Sequence, residues 1–211
     1  MVNGFVSFEK EIASCVHRVL SSPHLHGLWL NTLSYFENCG ARKIASCEHP
    51  TAVKEAMLKH AAEEFRHAFY LKTQLARIGA SYEDYRLPHL LGGWAAYHYL
   101  NTLDLNISRY LKAQRVEPFQ LKELAYVLVT YAIELRAGEL YPIYQSALKN
   151  HRSKIQVQSI LLEEKEHLQE MEQELRSLPC SPSFIEAVCE LEAFLFKRWL
   201  QACSASTKNF S

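Results

Sequence analysis

The sequence predicts an all-α protein: two hairpins of long helices, joined by one long crossover that holds an extra helix, with a further helix at each end. Three observations lead there. The 211 residues include only 7 Gly and 7 Pro, Leu, Ala, Glu and Lys are plentiful, and no stretch shows the two-residue alternation of strands. Apolar residues recur at helical spacing through several stretches of about 20 residues or more. Six of the seven prolines fall between those stretches or at their ends. The length suits one domain, 1–211, with the four-helix core at about 25–177.

The elements follow in order. Residues 6–20 form a leading helix, closed by Ser21-Ser22-Pro23. The first long helix runs from about 25 to 46, where His49-Pro50-Thr51 interrupts it, and the second continues to about Arg77, stopped by Gly79. Residues 79–93 form a loop with Pro88 and the Gly92-Gly93 pair, and the crossover helix spans about 94–114. The third long helix runs from about Phe119 to Lys149. A turn at 150–153 follows, with Ser153 as N-cap, and the fourth covers about 154–177. Pro179 and Pro182 set off a last helix at about 183–202, and the polar tail 204–211 is expected to fray.

Bulk properties exclude several classes. Lys plus Arg and Asp plus Glu both number 23 and no basic run occurs, which argues against a nucleic-acid partner. No apolar run approaches the length of a membrane span. Met1-Val2-Asn3-Gly4-Phe5 lacks the pattern of a signal peptide. The six cysteines are scattered, with no Cys-x-x-Cys pair. That excludes a zinc ribbon or rubredoxin-like site and fits a reducing cytoplasm.

The chemistry lies in two copies of Glu-x-x-His: Glu64-Phe65-Arg66-His67 and Glu164-Lys165-Glu166-His167. Three residues apart on a helix, carboxylate and imidazole share a face. With 21 Glu and 10 His in the chain, chance supplies the pattern about once, so its surroundings must carry the case. At 100° per residue, Val53, Met57, His60, Leu71, Leu75 and Ile78 fall within about 40° of Glu64, and Val157, Ile160, Leu168, Met171 and Leu175 within about 40° of Glu164. Both motifs therefore sit on apolar stripes. Glu37, bracketed by Leu30, Leu33, Ala41 and Ile44, is the only carboxylate between Glu11 and Glu48.

The third helix offers a choice. Leu121, Ala125, Leu128, Ala132, Leu135 and Ile143 cluster around Glu139, whereas Glu134 lies about 140° away. Glu37 precedes Glu64 by 27 residues, Glu139 precedes Glu164 by 25, and Glu134 precedes it by 30. Stripe and spacing favour Glu139, with Glu134 as the alternative. The expected ligand set is thus Glu37, Glu64, His67, Glu139, Glu164 and His167. Four buried carboxylates need partners. Arg42, Lys43, Arg66 and Arg136 fall off the stripes, whereas two divalent cations would balance the charge. Carboxylate plus imidazole suits iron, or manganese in its place. His60, one turn before Glu64, reads either as an outer partner or as an ordinary core histidine.

This pattern resembles the ferritin-like di-iron carboxylate superfamily, which places Glu, Glu-x-x-His, Glu and Glu-x-x-His on four successive helices. Gly138-Glu139-Leu140-Tyr141-Pro142 is similar to the third helix of rubrerythrins, and Glu37-Asn38-Cys39-Gly40-Ala41-Arg42 to the first metal helix of ubiquinone-biosynthesis hydroxylases. The resemblance implies a ferritin-like four-helix bundle and two Fe ions. It also implies an oxidoreductase that activates O₂ or peroxide to oxidise a small-molecule substrate, as a monomer or dimer. Glu64 and Glu164 would then be the bridging ligands. Without rubredoxin cysteines, a rubrerythrin-like peroxidase would draw on an external electron donor. Two other readings remain: iron handling, as ferroxidase, storage or peroxide scavenging, and a metal-free helical interaction protein. The aromatic residues Trp94, Tyr97, His98 and Tyr110 of the crossover read as packing or as a pocket wall.

Overall fold

The computed structural model describes residues 2–49, 51–178 and 180–208. Among them are seven α-helices and no strand: α1 (Glu9–Leu20), α2 (Pro23–Cys47), α3 (Glu55–Gln74), α4 (Trp94–Ala113), α5 (Pro118–Asn150), α6 (Gln158–Ser177) and α7 (Pro182–Lys208). None is long and apolar enough to cross a membrane. The expected breaks at Pro50 and Pro179 and the last three residues of the tail lie outside the described residues.

Local chemistry sets most boundaries. Pro23 occupies the first turn of α2, and the Ser22 hydroxyl accepts the Leu25 amide at 3.5 Å. A 3₁₀ turn, Leu75–Ile78, carries α3 to Gly79, whose φ of +70° closes it in the left-handed conformation. The fourth long helix starts later than expected. Ser153 does not cap it; its hydroxyl accepts the Ile155 amide, and the Val157 amide bonds the Gln145 side chain at 2.7 Å. Ile155 and Val157 are fully buried, so that segment is held by burial and side-chain hydrogen bonds instead of helix. The last helix also outruns its expected end. Residues 204–208 stay helical because Cys203 and Thr207 are buried.

The helices pair as two hairpins, α2 with α3 and α5 with α6, which meet along α2–α5 and α3–α6. The crossover helix α4 packs on α5 and α7, and α1 packs on α5, α2 and α7. Trp29 of α2 and Trp199 of α7 stack with ring centroids 5.4 Å apart, tying the last helix into the core. A Cβ on Gly92 would lie 2.8 Å from the Trp199 ring. Glycine there lets the indole NH donate to the Leu91 carbonyl at 2.9 Å.

One polar node sits in this second layer. Arg136 was expected off the apolar stripe, yet only 3% of it is exposed. It pairs with Glu192 at 2.7 Å and with Glu139, donates to the Val6 carbonyl, and lies over the rings of Phe5, Phe8 and Phe196. Tyr99 donates to the same Glu192. The node joins the segment before α1 to α4, α5 and α7. Replacing Arg136 by Ala strands the fully buried Glu192, and urea unfolding should show a loss of about 3–5 kcal/mol. The Arg136→Met, Glu192→Leu double variant should lose clearly less, because no unpaired charge remains.

Candidate metal centre

Four helices contribute to one buried cluster. It holds five of the six expected ligand residues: Glu37 from α2, Glu64 and His67 from α3, and Glu164 and His167 from α6. Glu134 of α5 and His60 of α3 complete it. The potential ligand atoms fall into two overlapping groups: His60, Glu64, Glu134 and His167 in one, and Glu37, Glu64, His67 and Glu164 in the other. Glu64 belongs to both. Within each group the atoms lie within 4.8 Å of one another.

Glu139 is not part of the cluster. Its carboxylate accepts the Phe8 amide at 2.9 Å and pairs with Arg136, anchoring the start of α1. The phase assigned to α5 failed because that helix has no single apolar stripe. Buried residues ring it, from Leu124, Ala125 and Val127 to Thr130, Tyr131 and Glu134, since α1, α4 and α7 cover one side and α6 and α2 the other. The stripe centred on Glu139 meets the second layer, and the polar-looking strip with Thr130, Glu134 and Tyr141 meets the cluster. The spacing preference misled as well. Glu134 stands 16 residues before the end of α5, and six lie between the start of α6 and Glu164, so the two hairpins are not built to equal lengths.

The histidines are held from behind. His67 Nε2 donates to Glu163 Oε2 at 2.6 Å, and His167 Nε2 donates to Glu63 Oε2 at 2.9 Å. Each motif thus supplies the acceptor for the other motif's histidine. This fixes both tautomers, leaving Nδ1 of each ring facing the carboxylates. The sequence carried the signal, because each Glu-x-x-His follows directly on another glutamate. Glu163 reads as a solvated residue only if α6 is considered alone. His67 Nδ1 lies 3.0 Å from Glu164 and His167 Nδ1 3.3 Å from Glu64, while His60 Nε2 lies 3.2 Å from Glu134 and 3.5 Å from Glu64. The Tyr141 hydroxyl donates to Glu37.

Charge is the outstanding feature. Among the described residues, the ion-pair partners of the four carboxylates are histidines alone. Burial, reinforced by neighbouring carboxylates, pushes Glu37 and Glu134 well above the usual carboxylate range. Burial also opposes ionisation of Glu64 and Glu164, but the close imidazoles overcome it and hold both below that range. Burial disfavours the imidazolium of each ring, yet Glu164 and Glu64 outweigh it, raising His67 and pushing His167 up to about 11. Burial and the neighbouring charges thus favour the protonated forms of Glu37, Glu134, His67 and His167.

The donor set fits a pair of metal ions. Six buried atoms of the cluster make no hydrogen bond of good geometry, although some lie at ion-pair distance: His60 Nδ1, Glu64 Oε1, His67 Nδ1, Glu134 Oε2, Glu164 Oε1 and His167 Nδ1. Native interiors rarely leave such atoms unpaired, and here they converge. All six cysteines are free and none joins the cluster, so the donors are carboxylate oxygen and imidazole nitrogen, the set suited to iron or manganese. The crossover aromatics lie elsewhere. Trp94 is 62% exposed and stacks on His98, whereas Tyr99 and Leu100, on the other face of α4, line the space beside the carboxylates.

No protein-family model, curated protein or solved structure matches this chain.

Two sets of substitutions test the site. Glu134→Ala should abolish stable metal binding, measured by elemental analysis after iron reconstitution, whereas Glu139→Ala should keep the metal and lose thermal stability. Glu63→Gln or Glu163→Gln should weaken metal affinity by about 10- to 100-fold while leaving the helical circular-dichroism signal unchanged.

Proposed function

We propose that the protein is a di-iron carboxylate oxidoreductase with a ferritin-like four-helix bundle, activating O₂ or peroxide to oxidise a small substrate. The observation that carries this reading is the pair of overlapping donor groups, with Glu64 common to both and several of their atoms without a hydrogen bond. The four carboxylates carry four negative charges when ionised, which two divalent cations balance. A structural metal site closes its coordination with a few donors and does not require two adjoining groups built from four separate helices. When bound, an iron pair supplies the redox chemistry of dioxygen or peroxide activation.

The chain's own residues do the rest. Glu64 would hold both ions at once. Glu37 and His67 would hold one ion, and Glu134 and His167 the other. Glu164 stands 3.0 Å from His67 and 3.9 Å from His167, a position between the two. His60 adds a third imidazole on the Glu134 side, so the two positions differ: one has two neighbouring histidines, the other has one. Tyr141 holds the Glu37 carboxylate by its hydroxyl and is itself 3% exposed. The site is buried, with His67 and His167 at 1% and 0% exposure. Exclusion of water strengthens every charge interaction within it and protects reactive species from hydrolysis.

Iron-reconstituted protein should bind two Fe per chain, and its reduced form should consume O₂ in proportion to the iron. Glu64→Ala should lose both ions together, because its carboxylate serves both positions. A reduced protein with two irons that leaves O₂ untouched would refute the oxidase reading and keep the metal site. Particle mass settles the storage alternative: a monomer or dimer is expected, and a shell of many subunits taking up excess iron would favour storage.

A further inference from the structure

The end of the bundle where α2 and α6 finish and α3 and α5 begin holds an open cleft of about 730 Å³. Sites for small organic molecules run from about 300 to 1,000 Å³. Its apolar wall is Met57, Tyr126 and the buried Val127 and Met171, and Phe119, 78% exposed, stands at the rim. Two residues link the cleft to the cluster. His60, only 1% exposed, lines it, with Nε2 3.2 Å from Glu134 and Nδ1 without a hydrogen-bond partner. Tyr126 lines it too, and also borders a narrow cavity whose walls include Glu64 and Glu134.

The charges of the cleft are unevenly matched. Its lining includes Lys54 and Lys122 against Glu48, Glu123, Glu170 and Glu174. Lys54 pairs with Glu123 at 2.8 Å, and Glu170 pairs at 2.9 Å with Lys59, which lies outside the lining. Lys59 offsets one charge and leaves the sign negative, a field that favours a cation. Glu48, Glu174 and Lys122 make no ion pair among the described residues. Lys122 is exposed, so water serves its ammonium group. Glu48 differs: its Oε1 is buried and accepts no hydrogen bond. Native proteins rarely leave a buried acceptor in that state, and a donor brought by a ligand would satisfy it. The rings of Tyr126 and Phe119 add aromatic faces, which attract cations.

We propose that this cleft binds an organic amine with an apolar, ring-sized body. The body lies against Met57, Tyr126 and Met171, the ammonium group donates to Glu48, and the inner end points toward His60. His60 supplies the reason for a polar atom at that inner end, since its Nδ1 lacks a partner while its Nε2 faces Glu134. A molecule seated there meets the cluster through the His60 ring, which makes the amine the small substrate of the proposed oxidoreductase. That role rests on the di-iron reading; the binding does not.

The test is ligand-observed NMR titration of the full chain, metal-free and iron-loaded, with iron content measured in parallel. The probes share a 4-hydroxyphenyl body and differ in charge: tyramine is a cation, N-acetyltyramine is neutral and 4-hydroxyphenylacetate is an anion. Tyramine should bind saturably and about fivefold more tightly than N-acetyltyramine, the factor one partly exposed ion pair supplies. The anion should bind most weakly. Glu48→Gln should abolish the preference for tyramine and leave the affinity for N-acetyltyramine unchanged. Met57→Trp, which fills the cleft, should weaken both; Ala56→Trp, at an exposed position of the same lining, decides the matter if Met57→Trp does not fold. Tyramine that fails to saturate, that binds no more tightly than N-acetyltyramine, or that keeps its preference in Glu48→Gln would overturn the inference. Two irons with no tyramine preference would sink the amine site and spare the di-iron reading. A tyramine preference without iron binding would do the reverse.

Discussion

The structure depends on one electrostatic constraint: four glutamates share a buried interior in which, among the described residues, their ion-pair partners are histidines. An uncompensated buried charge costs several kcal/mol, against a whole-domain stability of about 5–15 kcal/mol. The protein manages this in two ways at once. Burial favours the protonated forms of Glu37 and Glu134, and the close imidazoles favour the ionised forms of Glu64 and Glu164. That balance is a holding state, since every protonated group is also a potential metal ligand. The reciprocal bonds that the two histidines donate to Glu163 and Glu63 turn Nδ1 of each ring toward the carboxylates.

The surrounding layer follows from the same constraint. A cluster of donors on four helices stays in place only if the helices cannot slide. The Arg136 node and the Trp29–Trp199 stack bind α1, α4 and α7 onto the α2–α5 side. The carboxylate cluster lies inside the two hairpins, and the narrow space next to it is largely apolar.

Much of this was legible in the sequence. Both Glu-x-x-His motifs, Glu37 and every helix could be found from period, spacing and breakers, because α3 and α6 each bury one face and α2 does so from Glu37 onward. The helix α5 defeated the same reasoning. Covered on several sides, it has no stripe from which to read a phase, and its true contributor, Glu134, lies among residues that look half-polar. Arg136 was misplaced for the same reason. The partners of His67 and His167 were missed because Glu63 and Glu163 act across the hairpin interface, which the pattern within one helix does not show. The late start of α6 reflects Ile155 and Val157 burying themselves outside helix, a tertiary effect that outweighs local propensity.

The central claim is that the cluster is built to exchange protons for two cations. Metal-free protein, titrated anaerobically with Fe(II) at pH 6.5 in weakly buffered solution, reports this directly. Groups whose protonated form is favoured must release protons to become ligands, so two ions should enter per chain with release of protons. Uptake of a single ion, or of two ions without proton release, would contradict the account.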